Sequence, residues 1–247
     1  MSGSVVIDYL PESVKQYCSG YAVVGVDVIR ATTTAVTAVA LGRRCYPVPT
    51  MEAAVPLAAR LHEPLLVGEL GGNMPFGFDI TNSPAEIAAR ADHWRPMILL
   101  SSSGTQLLQN ATESEGAYLA CLRNTSATIR FLIGRHRRVA VIGAGSRGEF
   151  REEDQYCCAL VASGLAEAGY EPEGQQTVEV IERWKGKPKE AWFGSNSVEY
   201  LRRSNQMLDF EFIIGHIDDL DSAFALRHGE VVQIHCAPGS VTAGPIG

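Results

Sequence analysis

The chain has 247 residues, 46% of them hydrophobic, with 21 basic against 28 acidic side chains and a net charge of −7. That is enough apolar material for one large α/β domain or two small ones, and the acidic balance argues against a nucleic-acid partner. No apolar run reaches membrane-spanning length and no charged N-terminal segment precedes an apolar signal core, so a soluble cytoplasmic protein with no membrane partner is expected.

Apolar β-branched runs predict strands near Val5–Tyr9, Ala22–Val28, Cys45–Val48, Leu65–Gly68, Met97–Leu100, Ala117–Ala120, Arg138–Ile142, Phe210–Ile214 and Val231–His235. Helices are expected near Thr33–Leu41, Met51–Leu61, Pro84–Ala91, Ser126–Leu132, Glu152–Ala168 and Asn196–Arg203. Such alternation argues for crossover units and a mostly parallel sheet covered on both faces. Glu171–Gln176 and Trp184–Glu190 read as surface loops, and the small-residue tail after Pro238 as frayed. Two strand–turn–helix units end at Gly42 and Gly169, which leaves room for a distant duplication inside a single domain over residues 1–247. The six cysteines (18, 45, 121, 157, 158 and 236) form no CxxC pair and read as reduced, mostly buried thiols.

The densest chemistry lies between Val24 and Gly42. A strand end, the carboxylate of Asp27, the guanidinium of Arg30 and three hydroxyls (Thr32, Thr33, Thr34) meet at a helix start. Free N–H groups and the partial positive charge there favour anions, and Arg30 can fork onto a phosphate. Asp27 would repel that anion unless a cation lay between them, so the segment points to a metal–phosphate site. The plainer reading has Thr32 as a cap, Asp27 as a strand end and Arg30 in solvent.

Ligands of open α/β sheets bind outside the carboxyl ends of strands. Several strand ends carry suitable groups: Glu69 beside Gly71 and Gly72, Ser101–Thr105, Arg123–Ser126, and the glycine loop at 143–148 followed by Glu149, Glu152, Glu153 and Asp154. Structural roles compete at each. Ser83 and Glu86 form a capping box, Asn124 or Thr125 caps the next helix, and acidic residues in a first turn balance the helix dipole. Two motifs point elsewhere. Gly143–Gly148 matches GxGxxG, but no strand ending in an acidic residue follows about twenty residues on. Arg227-His228-Gly229 matches the RHG triplet of histidine phosphatases, but follows a segment, Asp221–Leu226, that reads as helical.

The blocks DVIRATTT (27–34), GELGG (68–72), GFDITNSPAE (77–86), SGT (103–105), RNTSA (123–127) and GEFREED (148–154) resemble the 2-phosphosulfolactate phosphatase family over roughly residues 5–235. The resemblance implies a three-layer α/β/α sandwich with a parallel or mixed sheet. It also implies a magnesium-dependent phosphatase that converts phosphosulfolactate to sulfolactate and phosphate, in the coenzyme M pathway of methanogens. Where the family favours Thr-Thr-Asn-Gly-Thr, this chain has Ser101-Ser102-Ser103-Gly104-Thr105, an amide replaced by a shorter hydroxyl. On this reading Mg2+ is held by Asp27 and Glu69, with Glu153 or Asp154, and Asp27 serves as base. Asp27, Arg30 and Glu69 are the catalytic set. The phosphate is bound by Arg30, Thr32, Thr33, Thr34, Ser103, Gly104, Thr105, Asn124 and Arg147, while Arg147 or Arg123 meets a second acidic group of the substrate. A nicotinamide-dependent oxidoreductase using the 143–148 loop and a non-catalytic binder of phosphorylated metabolites are the competing readings. A homodimer is the prior expectation.

Overall fold

In the computed structural model, which describes residues 3–235, the apolar run after Tyr21 is a central strand because every one of its residues, Ala22–Val26 (β2), is buried. It pairs in parallel with Gly116–Ala120 (β6) and Arg138–Gly143 (β7), so no backbone group on it is left to solvent. Gly3–Tyr9 (β1) and the short edge strand Tyr170–Pro172 (β8) extend this side. A second parallel group holds Cys45–Val48 (β3), Leu65–Gly68 (β4) and Met97–Leu100 (β5). The hairpin of Ser222–Arg227 (β9) and Glu230–His235 (β10) joins the two groups, giving a ten-stranded mixed sheet in the order β4-β5-β3-β10-β9-β6-β2-β7-β1-β8.

Helices cover both faces. Alternate residues of β2 divide between two cores. Val24 and Val26 pack with Thr125–Leu132 (α5), the long helix Glu152–Glu167 (α6), Gln175–Trp184 (α7), Asn196–Arg203 (α8) and Met207–Gly215 (α9). Val23 packs on the other side with Ala31–Ala40 (α1), Pro84–Ala89 (α3) and Gly104–Asn110 (α4). Met51–Ala58 (α2) closes a smaller cluster over Val48, Ile98 and Leu100. α1 and α6 both end at a glycine of positive φ, Gly42 (85°) and Gly169 (93°), in the helix-stop geometry expected of them.

The register positions the site. Val26 is level with Ala120 and Gly143, so Asp27, Cys121 and Ala144 leave the sheet together. Gly68 is level with Leu100, so Glu69 and Ser101 do likewise.

Four expectations are corrected. Phe210–Ile214 lies in helix α9, not in a strand, because its buried positions Asp209, Phe210 and Ile213 repeat at helical spacing. Ser222–Arg227 is a strand, not a helix; buried on both faces between β6 and β10, it shows no alternation to read. The segment after Gly174 is helix α7 rather than a loop, with Thr177, Val180 and Trp184 inward. The RHG triplet makes a hairpin turn, Arg227 pairing with Glu230 and His228 and Gly229 both at positive φ. Cys45, Cys121, Cys157 and Cys158 are buried free thiols and Cys18 is half-buried. Cys236 and the tail after Pro238 lie outside the described residues. No helix among the described residues is long and apolar enough to cross a membrane.

Candidate functional site

Asp27 follows β2 directly and its Oδ1 accepts the amide of Ala31 at 3.1 Å, so the carboxylate sits on the N-terminus of α1. The Ile29–Arg30 peptide between them is cis. The three threonine hydroxyls turn inward. Thr32 Oγ1 accepts the Asp27 amide at 2.9 Å and lies within donating distance of the Asp27 and Ala120 carbonyls, at 2.8 and 2.9 Å. Thr33 donates to the Val28 carbonyl at 2.8 Å, and Thr34 to those of Arg30 and Asn82 at 3.0 and 2.6 Å. All three are buried. The expectation that they hold phosphate is therefore corrected: their hydroxyls are consumed in tying the helix start to the sheet.

A second carboxylate comes from the first turn of α6. Asp154 Oδ1 accepts the Val28 amide at 2.8 Å and Oδ2 the Gly145 amide at 3.4 Å. Asp27 and Asp154 both line one cavity of about 690 Å³, a volume usual for small-molecule sites. Burial, together with the negative charges of Glu69 and Glu153, pushes the Asp27 carboxyl up to about 7 against the pull of the Ala31 amide. Burial and the charges of Asp27 and Glu153 push Asp154 well above the usual carboxylate range. Glu153 lies outside the cavity lining, buried, with its Oε2 lacking a hydrogen-bond partner; burial raises its carboxyl too, opposed by the Ser197 and Ser195 hydroxyls. Asp27 and Asp154 thus resist ionising beside one another at the cavity, a cost that a cation there would relieve.

Glu69, at the end of β4, organises the opposite wall. Its Oε1 accepts the Ser102 amide at 2.7 Å, and its Oε2 accepts the Gly72 amide at 2.7 Å and the Ser102 hydroxyl at 3.0 Å. Ser102 and Ser103 both line the cavity. Arg30 is 4% exposed and reaches the same space, yet its Nη1 is held at 2.5 Å by Asp209 of α9. Asp209 also accepts the Ser83 hydroxyl and, at 3.2 Å, the Ala85 amide. Ser83 still caps α3 as expected, accepting the Glu86 amide at 3.1 Å.

Gly104 opens α4 against the Asp27 carboxylate. A Cβ there would stand 2.2 Å from Asp27 Oδ2 and 2.6 Å from the Ala31 methyl, closer than atoms approach. Gly104→Ala is expected to displace Asp27 and lower turnover about 10²-fold, as misplacement by an ångström can, and to destabilise the fold by about 1–3 kcal/mol through overpacking. Steady-state rates with a thermal unfolding curve check both.

Other expected phosphate ligands are elsewhere. Thr105 is buried, bonded to Ser101 on both sides, at 2.9 Å to its amide and 2.9 Å to its carbonyl. Asn124 is buried and closes its own turn, accepting the Cys121 amide at 2.9 Å. Arg123 is committed to Asp219 at 3.0 and 2.6 Å and to Thr37 at 2.9 Å. Arg147 lies at the cavity mouth, exposed. The GxGxxG loop ends in a tight turn, and its Gly145 amide is directed at Asp154; α6 starts only at Glu152.

Asp209, Arg151 and Tyr200 were not singled out from sequence, and Ser102 only as part of the turn Ser101–Thr105. An aspartate inside the largely apolar run Met207–Gly215, which also holds Glu211, was the available cue for the first. Tyr200 lines the cavity from α8 and donates its hydroxyl to the Gly72 carbonyl, closing the rim. Among the described residues, no three His, Cys, Asp or Glu side chains converge closely enough to hold a metal by themselves.

The family model described as 2-phosphosulpholactate phosphatase matches residues 8–226. A probable 2-phosphosulfolactate phosphatase of Deinococcus radiodurans is 30% identical over 245 residues, 97% of this chain and 96% of that one. Probable enzymes of the same name from Pseudothermotoga lettingae and Carboxydothermus hydrogenoformans are 36% and 34% identical over 157 and 160 residues. Those matches cover 64% of this chain and span 66% of each relative, just under two thirds of its length. The family match runs through every strand end that contributes to the cavity, and the chain belongs to the 2-phosphosulpholactate phosphatase family.

Proposed function

We propose that the cavity hydrolyses a phosphate monoester of a small organic acid, 2-phosphosulfolactate being the substrate named for the relatives, and that it does so with Mg2+. The observation that carries this reading is the pair Asp27 and Asp154, two buried carboxyls of raised pKa facing one cavity with Arg30. Asp27 and Asp154, backed by the charge of Glu69, would hold the ion. When bound, the ion offsets negative charge on the phosphoryl oxygens and lowers the pKa of water.

The chain's own groups do the rest. Arg30, oriented by Asp209, presents its guanidinium to the phosphoryl oxygens. Ser103, at the N-terminal turn of α4, and the Ser102 turn fixed by Glu69 face the same space. Asp27 Oδ1 is held by the Ala31 amide, so Oδ2 is the atom left to take a proton from the attacking water. Positioning and electrostatics of this kind supply most of the acceleration in phosphoryl transfer.

Phosphate release from 2-phosphosulfolactate and from 4-nitrophenyl phosphate, with Mg2+ and with chelator, tests the reading. Release from the first that needs Mg2+ supports it. Tight binding without release makes the chain a non-catalytic binder.

The carboxyls also predict a pH dependence of stability. Burial pushes the Asp27 carboxyl from the ordinary range near 3.8 of the unfolded chain up to about 7 in the fold, so the folded state holds the proton more tightly. The Asp27 contribution to stability therefore falls as pH rises from about 4 to about 7. In chelator, Asp27→Asn, which has no charge to bury, is expected to gain in Tm over the wild type as pH rises through that window. Mg2+ should raise the wild-type Tm more at pH 8 than at pH 5. Parallel Tm curves for the two proteins would contradict this.

A further inference from the structure

Four arginines reach the cavity, and three are already committed. Arg30 is held by Asp209 at 2.5 Å, Arg151 by Glu149 at 2.6 Å and Arg203 by Glu199 at 2.7 Å. Arg147 alone has no carboxylate partner among the described residues. It is also held in place. Ser146 and Glu149 exchange backbone hydrogen bonds of 2.9 and 3.0 Å, and between them Arg147 and Gly148 take φ values of 52° and 78°. Both signs are those of a type I′ turn, a conformation that a residue other than glycine, asparagine or aspartate enters at a cost. One residue before this turn, the Gly145 amide is directed at Asp154. The turn that carries the free guanidinium is thereby anchored to the carboxylate pair.

Depth gives the guanidinium its role. Arg30, Asp27 and Asp154 are buried at the floor, whereas Arg147 is exposed at the mouth. A phosphoryl group seated on the floor directs the rest of its ester outward, to the part of the cavity that the exposed Arg147 lines. We infer that Arg147 is the specificity-determining residue that receives the substrate's second anionic group, a carboxylate or sulfonate, rather than the transferred phosphate. This rests on the phosphatase reading for which end of the ligand lies deepest. A planar, permanently charged fork suits both oxyanions, and a lysine would keep the charge but lose the paired geometry. Of the two roles expected for Arg147 from sequence, the assignment keeps the second acidic group and drops the transferred phosphate.

The test compares wild type, Arg147→Gln and Arg147→Lys, each shown to unfold at a similar temperature. The ratio of kcat/KM for 2-phosphosulfolactate over 4-nitrophenyl phosphate, which has no second anion, should fall roughly 10- to 100-fold in the glutamine variant, the range expected for a lost charged hydrogen bond. The lysine variant should lie between. Calorimetry with sulfolactate, which carries no phosphate, should show a matching rise in Kd. An unchanged ratio with unchanged sulfolactate binding overturns the inference, as does a wild type that does not bind sulfolactate. If neither ester is hydrolysed, the phosphatase reading fails and calorimetry decides alone: sulfolactate binding that depends on Arg147 sustains the inference, and binding that does not depend on it overturns it.

Discussion

Asp27→Asn is expected to lower Mg2+-dependent turnover by at least about 10³-fold while leaving the fold intact. The size follows from two roles lost together. The side chain loses the charge that would draw the ion to the cavity floor and the oxygen that would take a proton from water, and general-base catalysis alone contributes typically 10²–10⁴-fold. The fold survives because the structural contacts are retained. The asparagine carbonyl can still accept the Ala31 amide, and the backbone bonds of Asp27 to Thr32 do not involve the side chain. The variant also removes a carboxyl that burial disfavours in its charged form, so it should be no less stable than the wild type at pH 8 in chelator. Single-turnover phosphate release across a Mg2+ titration, with the Tm of each protein, checks both halves. Turnover within tenfold of the wild type would remove Asp27 from the chemistry. A large loss of Tm would make the lost turnover a folding effect.

The parts of this site that sequence exposes are those made by one local segment. Asp27 and Arg30 beside a helix start, Glu69 beside paired glycines and Ser103 at a helix start each advertise themselves within a few residues, and each does line the cavity. What sequence hides is where the hydroxyls point. Thr32, Thr33 and Thr34 have the composition of an anion cradle, but a threonine at a helix start serves a carbonyl as readily as a ligand. Here every one of the three finds a carbonyl, two of them on distant segments, Ala120 and Asn82. The fold shows the same divide. Strands β3, β4 and β5 are legible to the residue because turn residues bound them, while β9 and α9 are misread because their apolar runs carry no period that separates a buried strand from a buried helix. Three antiparallel pairings around β9 and β10 separate β2 from β3, a topology that an alternating pattern does not foretell. The turns after β2, β4, β5 and β7 line one cavity all the same.

Asp209→Ala should cost about 3–5 kcal/mol of stability, the penalty for leaving one member of a buried ion pair uncompensated. Arg30 and Asp209 are each 3% exposed at the side chain, so the pair is largely shielded from water although Arg30 also lines the cavity. The loss is not confined to the pair. Asp209 also receives the Ser83 hydroxyl and the Ala85 amide, so the start of α3 loses an acceptor at the same time. Urea unfolding measures this directly. The double variant Arg30→Met/Asp209→Leu should recover part of the loss, because it removes the stranded guanidinium, but not all of it, because Ser83 and Ala85 stay unpaired. Asp209→Asn separates stability from chemistry. Its single amide oxygen can still accept from Arg30 without its charge, while its NH2 then faces Ser83 and the Ala85 amide, so the Ala85 bond is lost but the guanidinium keeps a partner and the stability loss should be smaller than for alanine. Its KM should rise with a smaller change in kcat if Arg30 grips the phosphoryl group equally before and during the reaction, and kcat should fall with it if the grip tightens only in the transition state. A loss below 1 kcal/mol for Asp209→Ala would mean that water or a neighbouring group reaches Arg30. The guanidinium would then owe its place on the cavity floor to something other than α9.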